Sequence, residues 1–400
     1  METANGRTVI ALLIPDLQLG GAERQVALLA ANIGSSQFVP LVITLRPAGA
    51  LVEELERKRI SIHCLSAKSP FRVLWRLLSC LRKNNVEILH SFLLTANAYA
   101  LLARLLMPRL RVVTGVRDAI EDRRIWETSL RERLRTRMLL SVVGALRHFA
   151  VAQIANSRTA VRIAHRHGDP KLQVILNGVD VTRWAPAVSA RHRLRQQYNI
   201  PAATRVVATV ANCSAYKDYP TLIRAAARVL YVHSDVVFLA FGNTATAEGE
   251  KARALVHQLG IHRRFLFAGL LRDLQLFLPG ADVFCLASAV EAFPNATSEA
   301  MSCGVPPVVT DVGDSAMIVG DTGIVVPPHS FEKLAEAIGR LLDFGETERR
   351  QLGSMARDRI VLQFSIEKMV KSHEALYCRV LGIAMQERRL STGLEGSGAE

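Results

Sequence analysis

Short apolar runs alternate with helix-periodic stretches along almost the whole chain, and the alternation is run through twice. In the first pass strands read at 8–15, 38–45, 60–65, 86–90, 111–116, 150–155 and 173–176, with helices near 22–33, 50–58, 73–83, 95–107 and 129–146. In the second pass strands read at 206–211, 236–241, 265–268, 283–286, 307–310 and 324–326, with helices at 221–230, 331–342 and 347–363. Strands separated by helices pair in parallel, and helices then cover both faces of the sheet. Runs such as Val9-Ile10-Ala11-Leu12-Leu13-Ile14 fit strands buried on both sides. The predicted fold class is α/β, with doubly wound parallel sheets that hold ligands at the carboxyl ends of their strands.

The 400 residues suffice for two or three domains, and 50% hydrophobic with 22% charged residues marks a globular chain. No run of 18 apolar residues occurs, so no membrane span is expected. Met1–Arg7 lacks a basic leader and Val9–Ile14 is too short for a signal sequence, so a cytoplasmic location is expected. Six scattered cysteines without a C-x-x-C pair agree with a reducing compartment. The net charge of +14 favours anionic partners.

The chemistry concentrates after the apolar run Ala281–Leu286. A loop carries Glu291 and the break Pro294-Asn295, and a short helix follows with Glu299 inside it and Gly304 at its end as a C-cap. Strand, loop and helix N-terminus form an anion site, to which the backbone N–H groups around Phe293, Asn295 and Ala296 contribute. The two flanking carboxylates suit sugar hydroxyls, so the ligand expected is one with both a phosphate and a sugar. Near the start, Leu19-Gly20-Gly21-Ala22-Glu23-Arg24 joins a strand to a helix, a geometry that brings backbone close to a phosphate. In the second half, Lys217 lies in the loop Asn212–Pro220 between a strand and the next helix, well placed to neutralise a diphosphate.

Glu291, seven residues and Glu299, in the context E-A-F-P-N-A-T-S-E-A-M-S-C-G-V-P with Val308-Val309-Thr310-Asp311-Val312-Gly313 behind it, resembles the E-x7-E signature of retaining glycosyltransferases of family 4. The resemblance spans roughly residues 8–380. It implies the GT-B architecture, two Rossmann-like domains facing a central cleft. The domains are then 1–183 for the acceptor and 184–363 for the nucleotide-sugar donor, with the boundary near Trp184 after the link Asn177-Gly178-Val179-Asp180. A C-terminal helix, 364–386, crosses back to the first domain, and 387–400 is a disordered tail.

Among the site residues so implied, Glu291 holds the transferred sugar and Glu299 the ribose hydroxyls. Lys217 contacts the donor phosphates, Gly20 and Gly21 face the cleft, and Leu270, in Gly269–Asp273, lies near the nucleobase. The position of the family's second phosphate-binding cation holds Asn212. His90, at a strand's carboxyl end, is a candidate for the cleft, with a structural histidine as the equal alternative. Arg117 takes the neighbourhood where many members carry a catalytic-region histidine.

The absence of an Asp-x-Asp pair predicts metal-independent transfer, with no cofactor. His165-Arg166-His167 lacks cysteine partners and reads as a solvated face. From Arg117 to Arg137 seven arginines interleave with Ile125, Trp126, Leu130, Leu134 and Met138; this stretch is either a solvated helix pair or a contact with an anionic membrane surface. The expected partners are a nucleotide-sugar and a glycan or lipid-linked acceptor, and no nucleic-acid motif is present. Two rivals stay open at this stage. One is a non-hydrolysing nucleotide-sugar epimerase of the same fold; the other is a basic membrane or nucleic-acid adaptor without catalysis.

Overall fold

The structure, a computed structural model, describes residues 7–18, 20–33, 37–47, 49–116, 129–166 and 172–385. The first half builds a sheet from β1 (Thr8–Ile14), β2 (Phe38–Thr44), β3 (Ser61–Cys64), β4 (Val86–Phe92), β5 (Arg111–Val116), β6 (Ala152–Ala155) and β7 (Leu172–Val174), in the order β3-β2-β1-β4-β5-β6-β7. The second half builds one from β8 (Arg205–Val210), β9 (Val236–Phe241), β10 (Phe265–Gly269), β11 (Val283–Leu286), β12 (Pro307–Thr310) and β13 (Ile324–Val326), in the order β10-β9-β8-β11-β12-β13. The pairings are parallel in both sheets. Strand order reverses between β1 and β4 and again between β8 and β11, and the crevice at such a reversal is where doubly wound sheets bind ligands.

The helices of the first half are α1 (Gly21–Asn32), α2 (Val52–Arg57), α3 (Pro70–Lys83), α4 (Leu94–Leu106), α5 (Leu130–Leu146) and α6 (Arg158–Arg166). Those that follow are α7 (Val188–Gln197), α8 (Tyr219–Val232), α9 (Ala247–Gln258), α10 (Asn295–Ser302), α11 (Ser315–Val319), α12 (Phe331–Asp343), α13 (Glu346–Gln363) and α14 (Ile366–Leu381).

Strand β1 shows why a two-sided apolar run is needed. Ile10, Leu12 and Ile14 enter a core shared with α1, α2 and α14, whereas Val9, Ala11 and Leu13 enter the opposite core under α3 and α4. Successive side chains of a strand alternate between faces, so a polar residue anywhere in this run would be buried. Each of the Val, Leu and Ile side chains among them contributes about 1.5–3 kcal/mol on burial. The last helix, α14, belongs to the first sheet's core: Ile366, Met369, Val370, Leu376, Tyr377 and Cys378 pack there with Ile10 and Phe38. Val179 is held on both sides of this return, its N–H bonded to the Phe364 carbonyl and its carbonyl to the Ile366 N–H.

Element limits differ from expectation where local chemistry intervenes. The strand expected from residue 150 starts at Ala152, because Arg147–Phe149 form a 3₁₀ turn closed by Ala150 N–H on the Arg147 carbonyl. Helix α9 escapes the periodicity argument because it buries only the small residues Gly249, Ala252 and Val256, and Thr246 caps it through Oγ1. Ser157 caps α6, its Oγ accepting from Ala160 N–H at 3.0 Å. No helix of the described residues is long and apolar enough to cross a membrane.

Candidate active site in the cleft between the sheets

The four residues of β11 are buried, and the chain leaves this strand at the order reversal, where the crevice lies. The loop 287–294 that follows is tied on three sides. Ala289 N–H donates to the Tyr216 carbonyl at 2.8 Å, Thr310 Oγ1 to the Ser288 carbonyl at 2.6 Å, and Asp314 N–H to the Ala292 carbonyl at 3.0 Å. This fixes Glu291 against Lys217. The Lys217 ammonium donates to Glu291 Oε1, which also accepts from Ser288 Oγ at 2.7 Å. The two side chains are only 18% and 11% exposed, so the pair sits in a shielded part of the cleft. Tyr216 lies beneath the ammonium, 5.5 Å from ring centre to Nζ.

Lys217 ends a 3₁₀ turn, and Asp218 after it takes φ 44°, a left-handed conformation tolerated by Asp. There its carboxylate caps α8 through Thr221 N–H and accepts from Thr221 Oγ1 at 2.8 Å. Asn212 braces the neighbouring loop: its Oδ1 accepts from Asn243 N–H at 2.8 Å.

Helix α10 begins after Pro294 without a side-chain cap. Thr297 and Ser298 N–H bond to the Pro294 carbonyl, and the first N–H groups, at Asn295 and Ala296, point out of the helix as its dipole's positive end. Gly304 follows at φ 77°, the left-handed C′ position expected. Glu299 lies one turn into α10, almost wholly buried. Burial pushes its carboxyl pKa up, and the charges of Arg24 and Arg183 pull it back. Arg24 Nη1 is 3.7 Å from Glu299 Oε1, so the first half of the chain supplies the countercharge for the second.

Other bonds also join the halves across the cleft. Asn295 accepts from Asn177 Nδ2 at 2.9 Å and donates to the Gly21 carbonyl at 3.3 Å. A Cβ on Gly21 would lie 3.0 Å from that Asn295 amide, a tight contact that the amide could meet only by shifting. The buried Asp314 accepts from Arg158 N–H and Thr159 N–H at 2.6 and 3.0 Å, capping α6 from the opposite half.

The cleft so formed measures about 870 Å³. Gly20, Gly21, Asn212, Lys217, Leu270, Glu291, Phe293, Asn295, Ala296 and Glu299 all line it. His90 does not. Strand β4 runs on to Phe92, so His90 is interior to the strand, fully buried on the face under α14, with Nδ1 2.6 Å from the Tyr377 hydroxyl. Its neighbours are Phe92 and His373, at ring distances of 4.0 and 5.6 Å, and its place in the cleft is corrected to a place in the core. Arg117, Arg123, Arg124, Ile125 and Trp126 lie outside the described residues. Sequence reasoning passed over Arg24 although it sits in the quoted glycine loop; only the fold shows that it faces Glu299. It also passed over Glu132, Arg135 and Thr136 of α5, which line the cleft from the first half.

Residues 19–183 match the family model described as Glycosyltransferase Family 4, and residues 190–359 match Glycosyl transferases group 1. The chain is 30% identical over 235 residues to the D-inositol 3-phosphate glycosyltransferase of Corynebacterium aurimucosum, covering 56% of this chain and 55% of that one. It is 29% identical over 191 residues to the N-acetyl-alpha-D-glucosaminyl L-malate synthase of Bacillus anthracis, covering 47% and 49%. The chain thus spans about half the length of the curated relatives it matches. Among solved structures, Anabaena HepE in complex with UDP and glucose superposes with a TM-score of 0.81 at 20% identity, over 93% of this chain and 100% of that one. The sucrose-phosphate synthase of Thermosynechococcus elongatus does so at 0.79 and 22%, over 94% and 100%. The chain is therefore a two-domain protein of the GT-B fold, with a glycosyltransferase family model matching each half.

Proposed function

We propose that this chain transfers a sugar from a nucleotide-sugar to a glycan or lipid-linked acceptor, with retention of anomeric configuration and without a metal ion. The observation that carries the reading is the arrangement of Lys217, Glu291 and the N-terminus of α10 in one shielded corner of the cleft, with Glu299 one turn further on. A lysine and a helix N-terminus together suit a diphosphate, and two carboxylates suit vicinal hydroxyls. An adaptor without catalysis needs none of the four, and a non-hydrolysing epimerase needs further acid/base residues in the cleft beside them.

In this reading Glu299 accepts the ribose hydroxyls and Glu291 the hydroxyls of the transferred sugar. Leu270 borders the nucleobase, and the backbone at Phe293, Asn295 and Ala296 faces the phosphates. Gly20 and Gly21 let the donor and acceptor approach the first domain closely. The bond from the anomeric carbon to the diphosphate breaks as one to the acceptor oxygen forms on the same face. The acceptor proton passes to the departing phosphate oxygen, so no separate base is required. Lys217 stabilises the charge that grows on the leaving group, and removal of one such donor typically costs ~10²–10³ in rate. Arg117 keeps its place by resemblance alone. The two curated relatives support a glycosyl donor in general. The UDP bound by Anabaena HepE makes a uridine nucleotide the first to try. Acceptors from surface-polysaccharide or glycolipid assembly fit the basic charge.

The test is the anomeric configuration of the product. An α-linked nucleotide-sugar is incubated with the protein and a panel of acceptor glycans in EDTA, and the product is read by proton NMR. An α-linked product supports the reading. A β-linked product, or transfer only on adding a divalent metal, refutes retention or metal independence respectively.

A further inference from the structure

We infer that the exposed side of α3 docks on an anionic lipid bilayer. The helix carries two apolar sets. Val73, Leu77, Leu78 and Leu81 are buried against the first sheet, and Phe71 and Trp75, one turn apart, stand on the other side at 85% and 69% exposure. A single exposed aromatic ring is unremarkable. Two large exposed rings one turn apart on one helix face, in a helix whose core side is already satisfied, fit a partner that takes protruding rings. A bilayer interface does this, since Trp and Phe settle at headgroup level.

The charge around the rings has one sign. From residue 57 to residue 86 there are eight Lys or Arg and no Asp or Glu. Arg76 is spent on the carbonyls of Leu65 and Ser66, which anchors the turn leading into the helix. Lys68, Arg72, Arg82 and Lys83 are exposed, on the same helix or directly before it. Cations beside protruding aromatics complement anionic headgroups, each contributing to attraction within a Debye length of the surface.

The placement has a consequence for the cleft. In a parallel sheet, α3 starts at the carboxyl end of β3, the end at which the cleft lies. It packs beside α4, whose first residues Leu94 and Thr95 line the cleft. On the far side of α4, α5 presents Leu130, Leu134 and Met138 at 73%, 58% and 61% exposure, at a spacing of four. A bilayer under α3 therefore meets the rim of the first domain, the side from which a lipid-linked acceptor would enter.

The experiment is co-sedimentation of the full chain with phosphatidylcholine vesicles, with and without phosphatidylglycerol, for the wild type and for Phe71→Ser/Trp75→Ser. Binding is expected with phosphatidylglycerol, falling with added salt, and weaker by roughly tenfold or more in the double variant. Bromine-labelled acyl chains should quench tryptophan emission in the wild type and much less in Trp75→Phe, which keeps a ring for binding. Both variants change exposed side chains, so an unchanged melting curve and an unchanged response to nucleotide are expected. That control separates failure of docking from failure of the donor site. Absence of vesicle binding, or binding unaffected by the double variant, overturns the inference. So does a wild-type dimer on size exclusion that the double variant dissolves, since the rings would then cover a second copy.

Discussion

Replacing Glu291 with Gln is expected to tighten nucleoside diphosphate binding while it stops turnover. In the structure the Lys217 ammonium is held by Glu291 Oε1, in a corner where neither side chain is more than 18% exposed. A diphosphate that recruits Lys217 must approach a carboxylate and share or displace its partner. Glutamine keeps the shape and can still accept from Ser288 Oγ, but removes the negative charge. An exposed ion pair is worth about 0.2–1 kcal/mol, and two unit charges at 4 Å about 4 kcal/mol at an effective dielectric near 20. The shielded but solvent-touched corner lies between these, so about 1.4 kcal/mol, roughly a tenfold lower Kd, is the expected gain. Transfer itself should fall by about 100-fold or more, because the sugar loses its charged acceptor. Calorimetric titration with the nucleoside diphosphate, alongside steady-state turnover, reads both quantities. Equal or weaker diphosphate binding in a folded Glu291→Gln protein would refute the electrostatic argument.

Three further outcomes follow from the geometry. The folded-state pKa of Glu299 is raised by burial above its unfolded value of about 4.3, so its stabilising contribution is present at lower pH and is lost as pH rises through the folded pKa. Glu299→Gln should therefore melt higher than wild type near neutral pH but not near pH 4, while losing nucleotide binding; equal melting differences at both would contradict this. Gly313 adopts φ 58°, and a Cβ there would lie 2.3 Å from the Glu291 carbonyl oxygen, so Gly313→Ala should cost at least ~2 kcal/mol and displace the Glu291 loop, read by denaturant unfolding and turnover together. Tyr377→Phe removes the hydroxyl bonded to His90 and should cost about 1 kcal/mol of stability with donor affinity unchanged.

Much of the architecture was legible because a parallel sheet imposes a harsh rule on its strands. Val236–Phe241 and Val283–Leu286 are apolar throughout, and both occur at the residues expected. The glutamate loop was legible for a related reason: a buried strand, a Pro-Asn break and a short helix closed by Gly304 leave few conformations. His90 misled because a histidine in an apolar strand reads the same whether it ends the strand or lies within it. Its partner, Tyr377, is 287 residues away and reaches β4 only because α14 returns to the first sheet. The Asp314 cap on α6 and the Arg24–Glu299 pair were illegible for the same reason, since each is a contact between halves with no local signature. Phe71 and Trp75 looked like ordinary members of an amphipathic helix, and only their exposure sets them apart.

The central claim is that the cleft binds a nucleotide-sugar through Lys217 and Glu299. Thermal unfolding against uridine, guanosine and adenosine diphosphates and their sugars, in EDTA, tests it most directly. A ligand at 100 times its Kd should add ~2.7 kcal/mol to the stability of the folded state. The account predicts such a gain with the nucleotides of one base, absent in Lys217→Ala and in Glu299→Ala. No gain with any nucleotide in a cooperatively folding sample, or a gain that survives both substitutions, would contradict it.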